Sequence, residues 1–167
     1  MKQKMQWGKW CFLAAILLLS LGCESLKGPV FCLSLHREVR PGGFGPDTQL
    51  IRSVVDVMGQ NEHVVSRFPT LDSSSFGSVE LVPDEASGRW GLRLKMDRRG
   101  KGLWRQATGE YAGSQMVVLL DGYVCGTMVI PPYDESEYLL LPPLWSESEA
   151  RSIAGHVESN YRKTNRR

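Results

Sequence analysis

The sequence predicts an α+β fold, a mainly antiparallel β-sheet with two helices packed on it. Three observations lead there. Ser114 to Pro132 contains two apolar runs, Met116–Leu120 and Tyr123–Ile130, interrupted by Asp121-Gly122. Asp-Gly between apolar runs marks a two-residue type I′ hairpin, because both central residues need positive φ. Trp90, Leu92, Leu94 and Met96 alternate with Gly91, Arg93 and Lys95, the period of a strand with one face in a core. Finally, Leu103, Trp104, Ala107, Thr108 and Tyr111, and later Ala150, Ile153, Ala154, Val157 and Tyr161, fall at helical spacing.

The chain begins with Lys2, Lys4 and Lys9 around the start of an apolar run, Cys11–Leu21. Eleven residues are too few to cross a bilayer as a helix, which takes about 20, but they fit a secretory h-region. Leu19-Ser20-Leu21-Gly22-Cys23 follows and resembles the lipobox of bacterial lipoproteins, in which the cysteine is acylated. Residues 1–22 are therefore expected to be a lipoprotein signal peptide, Cys23 the lipidation site, and 23–29 a lipidated tether. The alternative is an ordinary signal peptide or uncleaved anchor with an incidental cysteine. After Cys23 the chain carries 17 basic and 18 acidic residues, so no electrostatic footprint for nucleic acid is expected. Residues 30–161 are long enough for one domain.

Val30–Val39 reads as the first strand, with Phe31, Leu33 and Leu35 on one face. Arg40–Pro46 is a loop by its Gly and Pro density. Leu50–Met58 fits either a helix or a strand by its own pattern, and the turn at Gly59-Gln60-Asn61 into His63–Phe68 favours a second hairpin. Pro69–Ser75 reads as a polar connector, Phe76–Val82 as a strand and Pro83–Gly88 as a charged turn. Asp97 can cap a helix that runs to about Tyr111 and stops at Gly113. Arg98, Arg99, Lys101 and Arg105 near its start form a solvated basic edge; the alternative is a face for an acidic surface or lipid headgroups. Tyr138–Leu141 is a short last strand. Ser146 to Glu149 is a capping box, with Trp145 placed to staple onto Ala150. Residues 162–167 are basic and expected to be a disordered tail.

Catalytic constellations are not apparent. His36, His63 and His156 lie in different elements with no partner at metal-ligand spacing, so no metal and no cofactor are expected. No Gly-x-Ser-x-Gly elbow is present. Glu147 and Glu149 are accounted for by capping, and Asp121 by its turn. The protein is expected not to be an enzyme. Cys32 and Cys125 lie in expected strands of an exported chain, so a disulfide is allowed if their Cα atoms come within about 7 Å. Free buried thiols are the favoured reading.

From Leu92 to Val157 the chain resembles the head of the first periplasmic domain of SecD and fused SecDF. The matching residues are Asp97, Gly100, Thr108, Gly113, Leu120-Asp121-Gly122, Ile130, Trp145-Ser146 and Glu149-Ala150. Gly126-Thr127-Met128-Val129 stands where that family has a small residue followed by proline. Ser136-Glu137 replaces the glycine before the last strand. The resemblance implies a soluble head that meets emerging polypeptide in the bacterial envelope, with exported chains or translocon components as partners and the membrane reached through the N-terminal lipid. An unpaired sheet edge accepts an extended peptide by strand addition, and Tyr123, Thr127 and Tyr133 are the candidate contacts. The rival expectation is a structural envelope lipoprotein with no role in translocation.

Overall fold

The computed structural model describes residues 31–39, 50–56 and 58–165. The leader, Cys23, the tether and the Arg40–Pro46 loop lie outside the described residues.

The α+β expectation holds. Strands β1 (Leu33–Arg37), β4 (Leu71–Asp72), β7 (Gln115–Leu120) and β8 (Tyr123–Val129) form an antiparallel sheet in the order β4-β1-β7-β8. Strands β5 (Phe76–Asp84), β6 (Arg89–Met96) and β9 (Tyr138–Trp145) form a second, in the order β5-β6-β9. Strands β2 (Ile51–Val55) and β3 (Glu62–Ser66) make a separate hairpin. Helix α1 (Arg98–Glu110) follows β6, and α2 (Glu147–Asn165) follows β9.

The apolar run of β7 is covered on both faces, as a central strand's should be. Met116 and Val118 join the main core with Leu35, Leu94, Trp104 and Ile153. Val117 and Leu119 face the other way, into a small cluster with Val54, Val65 and Val124. The β2–β3 hairpin thus shields the far side of β7, which is why five apolar residues can follow one another there.

Both helices start as the capping arguments require. Asp97 accepts from the Gly100 amide at 2.7 Å. Ser146 and Glu149 exchange bonds, the Ser146 amide donating to Glu149 Oε2 at 2.9 Å and the Glu149 amide to Ser146 Oγ at 3.4 Å. Trp145 and Ala150 are both buried in the main core beside that start.

Four expectations are corrected. The Pro69–Ser75 connector contains β4 and a 3₁₀ turn, Ser73–Ser75, because Leu71 is buried opposite Leu35 and Asp72 caps the turn through the Ser74 amide. Phe31 is not part of the first strand; its φ is 56° and its ring meets His156 edge-on at 4.9 Å. The last strand runs to Trp145 through Pro142-Pro143, which an edge strand tolerates because its outer amides need no partner. Residues Arg162–Asn165 are helical rather than a disordered tail. The Asn165 side chain donates to the Ser74 carbonyl at 3.0 Å, and Arg162 and Lys163 suit the negative end of a helix.

Candidate functional site

The β7–β8 hairpin carries the candidate contacts, and its turn is built as its sequence requires. Asp121 has φ 52° and Gly122 has φ 89°, the left-handed pair of a type I′ turn. Asp121 is also tied to the start of β1. Its Oδ1 accepts from the Cys32 amide at 2.7 Å, and its own amide donates to the Cys32 carbonyl at 3.1 Å. A structural turn accounts for this carboxylate.

Strand β8 ends its sheet. Among the described residues its outer edge carries one isolated parallel bridge, from Val124 to Asp56, the residue after β2. The ladder then slips between Val118 and Leu119, so β8 carries a bulge at Cys125. Beyond the bulge, Thr127 lies opposite Val117 and Val129 opposite Gln115, both exposed. They therefore share the sheet face that looks away from the main core.

Tyr123, Thr127 and Tyr133 do not converge on a pocket. Tyr123 and Val129, at the two ends of β8, are each 56% exposed, and a strand of this length separates its ends by about 20 Å. Tyr133 lies beyond the strand; its hydroxyl donates to Glu135 at 2.7 Å, which also holds its pKa above the usual value. Glu135 pairs in turn with Arg105 of α1 at 3.1 Å. The adjoining loop is fixed by Trp104, whose indole N–H donates to Asp134 at 2.9 Å, and by the Asp134 amide, which donates to Thr108 at 3.1 Å. The segment without the family's glycine is held locally: the Ser136 amide donates to Asp134 and the Tyr138 amide to Ser136 Oγ. The arrangement is an edge with a rigid flank.

The sequence reading missed Val129, which belongs to that edge; its period-2 relation to Thr127 was the available signal. It also missed a cleft of about 310 Å³ lined by Phe31, Leu120, Trp145 and Ile153, with Ser148, Glu149 and Ser152 on its rim. That cleft is assembled from three separate stretches, Phe31, Leu120 and Trp145–Ile153, so no local pattern announces it. Leu140 on β9 is 58% exposed, but Pro142 and Pro143 remove two amides from that strand.

The titratable groups have structural surroundings. Cys32 and Cys125 are free thiols, but neither is buried as expected: Cys32, just before β1, is exposed and Cys125, at the bulge of β8, is half-buried. Partial burial pushes both up, aided at Cys32 by Asp72 and Asp121 and at Cys125 by Asp121 and Glu149. His36 is buried between β1 and the β2–β3 hairpin, its Nδ1–H donating to the Ser66 carbonyl at 2.8 Å. His63 bonds Glu38 at 2.7 Å, and His156 Nδ1 donates to the Ser152 carbonyl at 2.8 Å. Among the described residues, no group of three or more His, Cys, Asp and Glu side chains is placed to hold a metal ion. No described helix is long and apolar enough to cross a membrane.

A search of curated proteins found no match. Among solved structures, one of a membrane component SecDF that enhances protein export is similar over 79% of this chain and 64% of its own, with 20% identity and a TM-score of 0.58. SecDF in its Super-membrane-facing form is similar over 77% of this chain and 19% of its own, with 17% identity and a TM-score of 0.58. This chain therefore corresponds to less than two thirds of the length of either. These likenesses concern the fold. The family model for the SecDF P1 head subdomain matches residues 48–155, well over half of the 167-residue chain. The chain thus belongs to the SecDF P1 head subdomain family.

Proposed function

We propose that this protein is a non-catalytic binding module of the bacterial envelope, held at a membrane by lipid on Cys23, that engages extended segments of exported polypeptides. The single observation that supports it most is the outer edge of β8 in a SecDF P1 head domain. Main-chain hydrogen bonds to such an edge are indifferent to the visitor's sequence, which suits a partner met unfolded and in many forms. Thr127 and Val129 offer modest side-chain selectivity beside it. The relative of known structure is described as enhancing protein export, and the proposed role is accessory to that process from the periplasmic side. The tether raises the effective concentration of the edge near chains emerging from the membrane.

Photo-crosslinking in living cells tests the reading. A crosslinker at Thr127 or Val129 should capture exported polypeptides or translocon components above a control at Glu85, an exposed residue of the β5–β6 turn. Capture no greater than the control at both positions would replace the binding role by a structural one. The bulge at Cys125 and the prolines of β9 favour that alternative, since both are devices that blunt sheet edges.

A further inference from the structure

We propose that the end of the domain where its two helices meet docks on anionic lipid headgroups; this rests on the anchored reading above. Four exposed cations stand there, Arg98 and Arg99 in the first turn of α1 and Arg162 and Lys163 near the end of α2. None takes part in an ion pair among the described residues. The Ser73–Ser75 turn draws the two helix ends together. The Asp97 amide donates to the Ser75 carbonyl at 2.9 Å, and the Asn165 side chain donates to the Ser74 carbonyl at 3.0 Å. The carboxylates bonded at this turn, Asp72 and Asp97, each already accept a backbone amide, from Ser74 and Gly100. Positive charge is in excess, and Arg166 and Arg167 follow in the sequence.

Helix stability accounts for only half of this pattern. Cations suit the C-terminal end of α2 but oppose the dipole at the start of α1, where Asp97 caps the helix and the first turn itself holds no acidic residue to offset the two arginines. The identity of the partner comes from the path of the chain. Ser73 Oγ accepts from the Leu33 amide at 3.0 Å, and Asn160 donates to the Phe31 carbonyl at 3.5 Å, so the first described residues lie beside the same turn. Residues 22–30 separate Phe31 from the apolar run that ends at Leu21, and that many residues span at most about 30 Å. An anchored chain thus keeps this end near the bilayer, where acidic headgroups attract Lys and Arg within a Debye length. Acidic and basic residues nearly balance over the chain after Cys23, so the attraction is local to this end.

The test uses the full chain reconstituted into vesicles of phosphatidylcholine alone or with phosphatidylglycerol, read by amide hydrogen exchange. With phosphatidylglycerol, exchange should slow at Arg98–Lys101 and Arg162–Asn165, and the slowing should vanish in high salt. The R98Q/R99Q/R162Q/K163Q variant should lose it, at about fivefold weaker docking per neutralised residue. Unchanged protection of β7 in the variant certifies its fold, and each single substitution should give a graded loss. Equal exchange in both vesicles, or protection that survives the substitutions, overturns the docking face. A chain that floats with neither vesicle removes the anchor and this proposal together, whereas flotation with unchanged exchange removes the docking face alone.

Discussion

Gly126 of β8 and Leu144 of β9 are in direct opposition: a Cβ at Gly126 would stand 2.8 Å from Leu144 Cδ2 and 2.9 Å from Cδ1. The two sheets approach there without pairing, and the absent side chain is what lets Leu144 lie against β8. The atoms met are the ends of a flexible, half-buried side chain that can turn aside, so Gly126→Ala should cost only about 1 kcal/mol, the low end of overpacking. Leu144→Ala in the same chain should recover part of that loss, which a double-mutant cycle in urea measures. Gly109 in α1 is the contrasting site, with nothing within 4 Å of the missing Cβ. There the same substitution should stabilise by about 0.5–1 kcal/mol through helix propensity.

His36 should make stability depend on pH. The Ser66 carbonyl can only accept, so Nδ1 carries the proton, and Nε2 accepts near Ser34 Oγ at 3.1 Å and Arg52 Nη2 at 3.2 Å. Burial pushes the pKa down and Arg52 adds to this, against the Ser66 carbonyl and the Asp72 charge. Because the folded value lies below the unfolded value of about 6.5, the unfolded chain takes up the proton first as pH falls. The contribution is complete above about pH 6.5 and is lost as pH falls through the folded value. Urea midpoints should be lower at pH 5.5 than at pH 7.5, and His36→Gln should reduce the difference. An undiminished difference in that variant would assign the effect elsewhere.

Legibility in the sequence followed the range of the interactions. Local signals carried through: the Asp121-Gly122 turn, the Asp97 cap, the Ser146–Glu149 box and the alternation of β6 all reappear as structure. What could not be read depends on distant partners. Strand β4 is two residues long and exists because Leu71 meets Leu35, so no local period marks it. Residues Arg162–Asn165 look like a polar tail, yet Asn165 is bonded to Ser74, 91 positions away. Of the candidate site, the hairpin was legible. That β8 is the end strand was not, since strand order arises from long-range pairing.

Anchoring makes its own prediction. If Cys23 carries lipid, Cys23→Ser should abolish metabolic fatty-acid labelling and leave an unprocessed precursor of higher mass. Labelling that persists in the variant would rule out that attachment site. The substitution should also release the domain's hold on the membrane, since a stable anchor needs two acyl chains or an equivalent second signal.

Asp121 links the hairpin to the two described thiols, and its charge can be removed without its geometry. Asn tolerates positive φ and keeps an oxygen for the Cys32 amide, so Asp121→Asn should retain the turn. Burial first, and then nearby carboxylates that include Asp121, disfavour the thiolates of Cys32 and Cys125. The thiolate is the reactive form, so loss of this charge should speed alkylation of both cysteines near neutral pH. Cys125 stays half-buried, so it should still react more slowly than an unfolded thiol. Site-resolved mass spectrometry during iodoacetamide labelling gives both rates from one time course. Acceleration at both cysteines supports the shared electrostatic origin. Acceleration at Cys32 alone would mean that the variant has merely loosened the start of β1, and a fall at either would contradict the argument.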